Sequence, residues 1–236
     1  MFLPKPKPSP FKNKLVLFLF TSMLNQAKTK NIFSKTRPGL GLLETVVAMT
    51  VLTTGIVALM SMVVSAGTAR TANEYATIGA NLAREGIEVV VMKRNDNWIK
   101  ELPFDSGMNV GTDYTFGLAF DPSTATWSFV NNPTGGAPNT INDALASFYQ
   151  YTSGVNSGLM VQAAVMPATA SATMYKRLVT LDPICSDGTT ETTVTSGSTC
   201  PALNTKVGVR VTSMVQWSDK GVNHNITAME TIYDWR

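Results

Sequence analysis

The run LGLLETVVAMTVLTTGIVALMSMVVSAGTA, residues 40–69, constrains this chain more than any other part of it. Its only charge is Glu44, and residues 45–69 carry none. About 20 apolar residues in a helix cross the hydrocarbon of a bilayer, so the run is long enough to span one. A cleaved secretory signal fits less well, because its apolar core covers only ~7–15 residues and ends at an A-x-A-like site. Taken alone, the run reads as a generic signal anchor.

Charge sets the expected orientation. Residues 1–39 carry Lys5, Lys7, Lys12, Lys14, Lys28, Lys30, Lys35 and Arg37 and no acid. These are eight of the chain's 19 basic residues, so the other eleven face all 16 acids and residues 40–236 hold a formal charge of −5. Four of the cations immediately precede the apolar run, which keeps the N-terminus cytoplasmic and exports the C-terminal remainder of the chain. The net +3 thus belongs to the N-terminal segment, and the rest lacks the basic cluster of a nucleic-acid footprint. Nucleic acid is not an expected partner. Residues 15–24 (LVLFLFTSML) are apolar but too short to span. Two readings stay open: the core of a separate signal peptide, or a start at Met23 that leaves the short basic leader MLNQAKTKNIFSKTRPG.

Gly39-Leu40-Gly41-Leu42-Leu43-Glu44, followed at once by an apolar helix, resembles the prepilin cleavage signature of type IV pilins and pseudopilins. The resemblance implies that a prepilin peptidase cuts after Gly39, that Leu40 becomes the methylated mature N-terminus, and that Glu44 is the acid used in assembly. It also implies other pilin subunits and an inner-membrane assembly machinery as partners, with the fibre at the cell surface. Physical chemistry agrees with these roles. Glycine before the scissile bond lets the backbone approach a protease without Cβ interference. A carboxylate inside a membrane helix costs on the order of 2.5–3.5 kcal/mol and therefore needs a reason. Near a helix N-terminus the dipole favours it. In a fibre it would pair with the free amine of a neighbour, as the family resemblance implies. Two features depart from the family pattern. Leu40 stands where phenylalanine is more common, and Thr53, Thr54 and Gly55 interrupt the apolar helix with residues of lower helix propensity. Local loosening near Thr54 and Gly55 during fibre packing is the expectation.

Beyond Arg70 the pattern becomes amphipathic. Tyr75, Ile78, Leu82, Gly86 and Val89 recur at three- and four-residue steps and predict a helix face that seats a folded head. Asn95-Asp96-Asn97 and then Pro103 supply stop signals. Residues 82–98 also resemble the post-membrane helix of pilin-like proteins. From there the pattern alternates. Residues 114–120 and 126–130 predict two strands joined at Asp121-Pro122-Ser123, residues 131–142 a loop, and residues 159–166 and 175–181 further strands. The clearest hairpin pairs residues 206–217 with 225–235 through a turn around Ser218-Asp219-Lys220-Gly221. The expected fold is α+β, a long N-terminal α-helix packed on an antiparallel β-sheet head. Its segments are a leader (1–39), a transmembrane assembly helix (40–69), an amphipathic continuation (70–98) and an exported head (99–236).

Cys185 and Cys200 are the only cysteines. Export favours a disulfide between them, and closing a loop of that size is worth ~3 kcal/mol in the chain-entropy model. A metal pair is the alternative, though no CxxC or histidine lies nearby. The enclosed SDGTTETTVTSGST has little composition for ordering itself. Many pilins carry a disulfide near the C-terminus that frames a surface loop, whereas this pair precedes the last hairpin.

No cofactor or metal is expected, and no enzyme. His224 is the only histidine, and no nucleophile motif accompanies it. Asp182, Asp187, Asp219 and Asp234 lack calcium-loop spacing. Trp127, Trp217, Tyr233 and Trp235 read as core positions of the sheet rather than a ligand platform. Two rivals to a pilus subunit remain: a minor pilin or type II secretion pseudopilin that primes a fibre, and a membrane-anchored extracellular binding module.

Overall fold

A computed structural model describes residues 41–108, 114–131 and 139–234. Gly39, Leu40 and the leader lie outside the described residues, as does Trp235. The chain divides into two units, Met1–Ser61 and Met62–Arg236, and the division falls inside one helix, α1, Leu42–Ile99.

The first unit contributes the start of α1. Glu44 N–H and Thr45 N–H donate to the Gly41 carbonyl and open the helix. The Thr53-Thr54-Gly55 step does not break it. Threonine hydroxyls here bond back to the preceding turn: Thr53 Oγ1 to the Met49 carbonyl at 2.9 Å, and Thr54 Oγ1 to the Thr50 carbonyl at 2.9 Å. Each polar side chain is thereby satisfied within the helix, which is the condition for placing threonine in hydrocarbon.

In the second unit α1 gains a packed face. Gly79, Leu82, Ala83, Gly86, Ile87, Val89, Val90 and Asn97 are buried, in agreement with the predicted stripe. The helix runs through Asn95-Asp96-Asn97 rather than stopping there. Asp96 is held by Lys100 Nζ at 2.8 Å, an i,i+4 pair that suits a last turn. The stop comes afterwards. Leu102 N–H reaches the Asn97 carbonyl, Glu101 N–H reaches the Trp98 carbonyl, and Glu101 takes φ 55°. That is a Schellman closure with glutamate in the left-handed position that glycine usually fills. Asn97 is buried, and its Nδ2 donates to the carbonyls of Phe104 and Ser106. It anchors the loop after the helix, so its side chain is tertiary rather than a terminator.

The described strands form one eight-stranded sheet, confirming the α+β class. They are β1 (Thr115–Asp121), β2 (Thr126–Val130), β3 (Ser147–Tyr151), β4 (Met160–Gln162), β5 (Ala170–Ser186), β6 (Glu191–Thr193), β7 (Thr205–Asp219) and β8 (Val222–Tyr233). The long strand β5 is the spine. One edge pairs with β7 from Tyr175 to Ser186; the other takes β3, β1 and β6 in succession. β8 continues the sheet beyond β7, and every pair is antiparallel. The β7–β8 turn is tighter than predicted. Only Lys220 (φ 50°) and Gly221 (φ 81°) lie between the strands, the two positive φ angles of a type I′ turn.

Val209, Val211, Ser213, Val215 and Trp217 of β7 face inward with Tyr175, Arg177, Val179 and Leu181 of β5. They pack with α1 in two clusters, one around Val90, Leu118, Val179 and Val211, the other around Ala83, Phe148, Val215 and Trp217. The strand predicted over 159–166 is only Met160–Gln162, because the chain leaves β3 after Gln162 and turns back toward β5.

Candidate functional site

Three features could carry function: the apolar half of α1, the seam between helix and sheet in the second unit, and the disulfide loop. Every residue from 41 to 74 is exposed, including Leu43, Val47, Leu52, Leu59 and Val64. Among the described residues α1 is the helix long and apolar enough to cross a membrane. An apolar surface this continuous marks a membrane or protein contact. Glu44 sits in its first turn, exposed, and joins no ion pair among the described residues. The helix start therefore presents one carboxylate on an otherwise apolar rod.

At the seam, small residues let the helix approach the sheet. A methyl group at Gly79 would lie 2.9 Å from the Trp217 ring, and one at Gly86 would collide with Ser213 Oγ and crowd Arg177. Beside Gly86 lies Arg177, which is fully buried. Its Nε donates to Gln162 Oε1 at 2.9 Å and its Nη1 to the Leu82 carbonyl at 2.9 Å. The guanidinium lies 4.9 Å from the Phe148 ring centroid and 3.7 Å from Glu85 Oε1. Burial pulls its pKa down to about 10 and Glu85 partly restores it, so it stays a cation at neutral pH. Gln162 completes the bridge by donating to the carbonyls of Leu145 and Arg177. One cation thus ties α1, β4 and β5 together. Sequence reading overlooked it, although strand parity puts Arg177 inward with Tyr175, Val179 and Leu181. Ser213 Oγ is buried with no hydrogen-bond partner, a cost of the close helix approach.

Cys185 and Cys200 are joined as a disulfide, and Cys185 is buried at the end of β5. The enclosed segment is more ordered than its composition implied. β6 folds back on β5 as a short hairpin. Asp187 organises the turn by accepting from Thr189 N–H, Thr190 N–H and both threonine hydroxyls, contacts that hold its carboxyl well below the usual range. Thr193 and Glu191 accept from Arg210 and Tyr233 at 2.8 Å each, which fixes the hairpin to β7 and β8.

His224 is exposed on β8 and stacks on Trp217 at 5.6 Å. Trp217 is buried, while Trp127 and Tyr233 are half-buried. Glu88, Asp96 and Glu230 rim an open cleft with Val91, Met92 and Ile99. No group of three metal-ligating side chains converges among the described residues. The structure therefore joins the two cysteines, sets Glu44 at the start of the apolar helix, and brings no other predicted site residues together. No family model, curated protein or solved structure matches this chain.

Proposed function

We propose that the chain is a subunit of a type IV pilus or a related pilus-like fibre. Prepilin peptidase would cut it after Gly39, and the mature chain would be held in the membrane by the apolar half of α1, with its N-terminus cytoplasmic and its sheet exported. Polymerisation would then run through that helix. The role is structural rather than catalytic. One observation carries the reading: a lone carboxylate, Glu44, stands in the first turn of an exposed apolar helix that continues into the helix seating an antiparallel sheet.

Energetics give that carboxylate its task. A charge in an apolar interface contributes mainly register, because its desolvation cost offsets most of the attraction. The pilin resemblance implies the free amine at Leu40 of an adjacent subunit as its partner. Glu44→Ala will therefore insert and be cleaved normally but be depleted from sheared fibres by at least an order of magnitude, the range reached when a buried pair loses one partner. Quantifying mature subunit in membrane and sheared fractions tests this, and unchanged incorporation would count against the mechanism.

A further inference from the structure

Residues 144–175 contain no Asp, Glu, Lys, Arg or His. They run from the 3₁₀ turn Ala144–Ala146 through β3 and β4 into β5, all within the second unit. Their position along α1 gives the missing charge a meaning. β5 advances in the same direction as the helix: the Tyr175 hydroxyl donates to the Tyr75 carbonyl, and Arg177, two residues on, donates to the Leu82 carbonyl. Going back along β5 from Tyr175 to Ala170 covers about 16 Å at ~3.3 Å per residue. That equals about ten residues of helix at 1.5 Å each, which reaches the last apolar turn before Arg70.

Two loops meet at this level. Ala170 pairs with Tyr151 at the end of β3, and Thr152 N–H donates to the Thr169 carbonyl at 2.8 Å. The β3–β4 loop carries Val155, which is fully exposed, and the β4–β5 loop carries Val165 and Met166, 80% and 53% exposed. Tyr149 and Tyr151 of β3 are half-buried. Isolated exposed apolar residues are ordinary. Here they share the charge-free β3–β4–β5 corner of the sheet, which extends past the β7–β8 turn with its Asp219 and Lys220 and lies level with the point where a membrane-length helix turns polar. Tyrosine is enriched at the headgroup layer, where one end of the side chain is apolar and the other wet.

We propose that this end of the sheet lies against the bilayer, with Val155, Val165 and Met166 in the headgroup layer of the leaflet that α1 leaves. The proposal rests on α1 crossing a membrane and not on fibre assembly. Leu203 supplies an internal control. It is equally exposed but lies beyond the opposite end of β5, where Ser186 pairs with Thr205, among Asp187, Glu191 and Lys206.

The test uses the full chain in phosphatidylcholine vesicles. An environment-sensitive maleimide fluorophore is attached to Val155→Cys or Leu203→Cys with the native disulfide kept oxidised. Lipid carrying a quencher near the headgroup should quench the Val155 probe at least threefold more than the Leu203 probe. Equal quenching in chains that float with the vesicles overturns the proposal and leaves the anchor standing. Failure to float removes the membrane reading itself. Val155 shielding that grows with protein density but is insensitive to the lipid quencher means that a second copy covers this face, which also overturns the proposal.

Discussion

A Gly39→Phe chain is expected to accumulate at precursor mass in the membrane, with cleavage reduced at least a hundredfold, as read by immunoblot and intact mass. The scissile backbone must lie flat in a protease cleft, and only glycine offers its carbonyl there with no side chain to collide. A phenyl ring at that position costs more than the ~2.7 kcal/mol that a hundredfold loss represents. The apolar run is untouched by the change, so insertion should be normal. Normal processing of this variant would remove the assignment of Gly39 and, with it, of Leu40 as the new N-terminus.

The second large effect concerns the seam. Arg177→Met keeps most of the side-chain volume but leaves Gln162 Oε1 without its donor in a buried setting and removes the charged hydrogen bond to the Leu82 carbonyl, which keeps its helical partner. The one unsatisfied acceptor costs about 1–3 kcal/mol and the lost charged hydrogen bond about 1.5–3 kcal/mol, so the sheet should lose about 3 kcal/mol. Against a typical margin of ~5–15 kcal/mol that is a large fraction. Limited proteolysis of the full chain in detergent should show the head becoming cleavable in the variant at temperatures where the parent resists. Glu85→Gln provides the contrast. Glu85 is 39% exposed at 3.7 Å, so solvent screening leaves that pair with less than about 1 kcal/mol. Equal effects from the two substitutions would mean that the ion pair, and not the carbonyl bridge, holds the seam.

Much of this architecture was legible because burial and periodicity coincide. The helix face at Leu82, Gly86 and Val89 and the alternation in β7 each bury one side only, so the pattern shows in the residue types. Other parts were hidden for physical reasons. β3 reads Ser-Phe-Tyr-Gln-Tyr, too short to establish a period, and β6, Glu-Thr-Thr, has no buried face at all. It is held by Asp187 and by pairing to β5. The three helix-terminal residues Asn95, Asp96 and Asn97 misled because propensity signals a stop, whereas the Lys100–Asp96 pair and the loop bonds of Asn97 reward another turn. Arg177 was missed because a charge in a strand suggests solvent until its neighbours across the sheet are known. For the candidate site, Glu44 and the cysteines could be read directly, since a lone acid in an apolar run and a lone cysteine pair need no tertiary context.

The most direct test of a pilin-like subunit is the intact mass and N-terminal sequence of the mature chain, isolated from cells with prepilin peptidase and from cells lacking it. Processing after Gly39 requires a chain that begins at Leu40 in the first case, with methylation read from its added mass, and an uncut precursor in the second. A mature chain that retains the leader, or is cut elsewhere, or is cut identically without the peptidase, would contradict it.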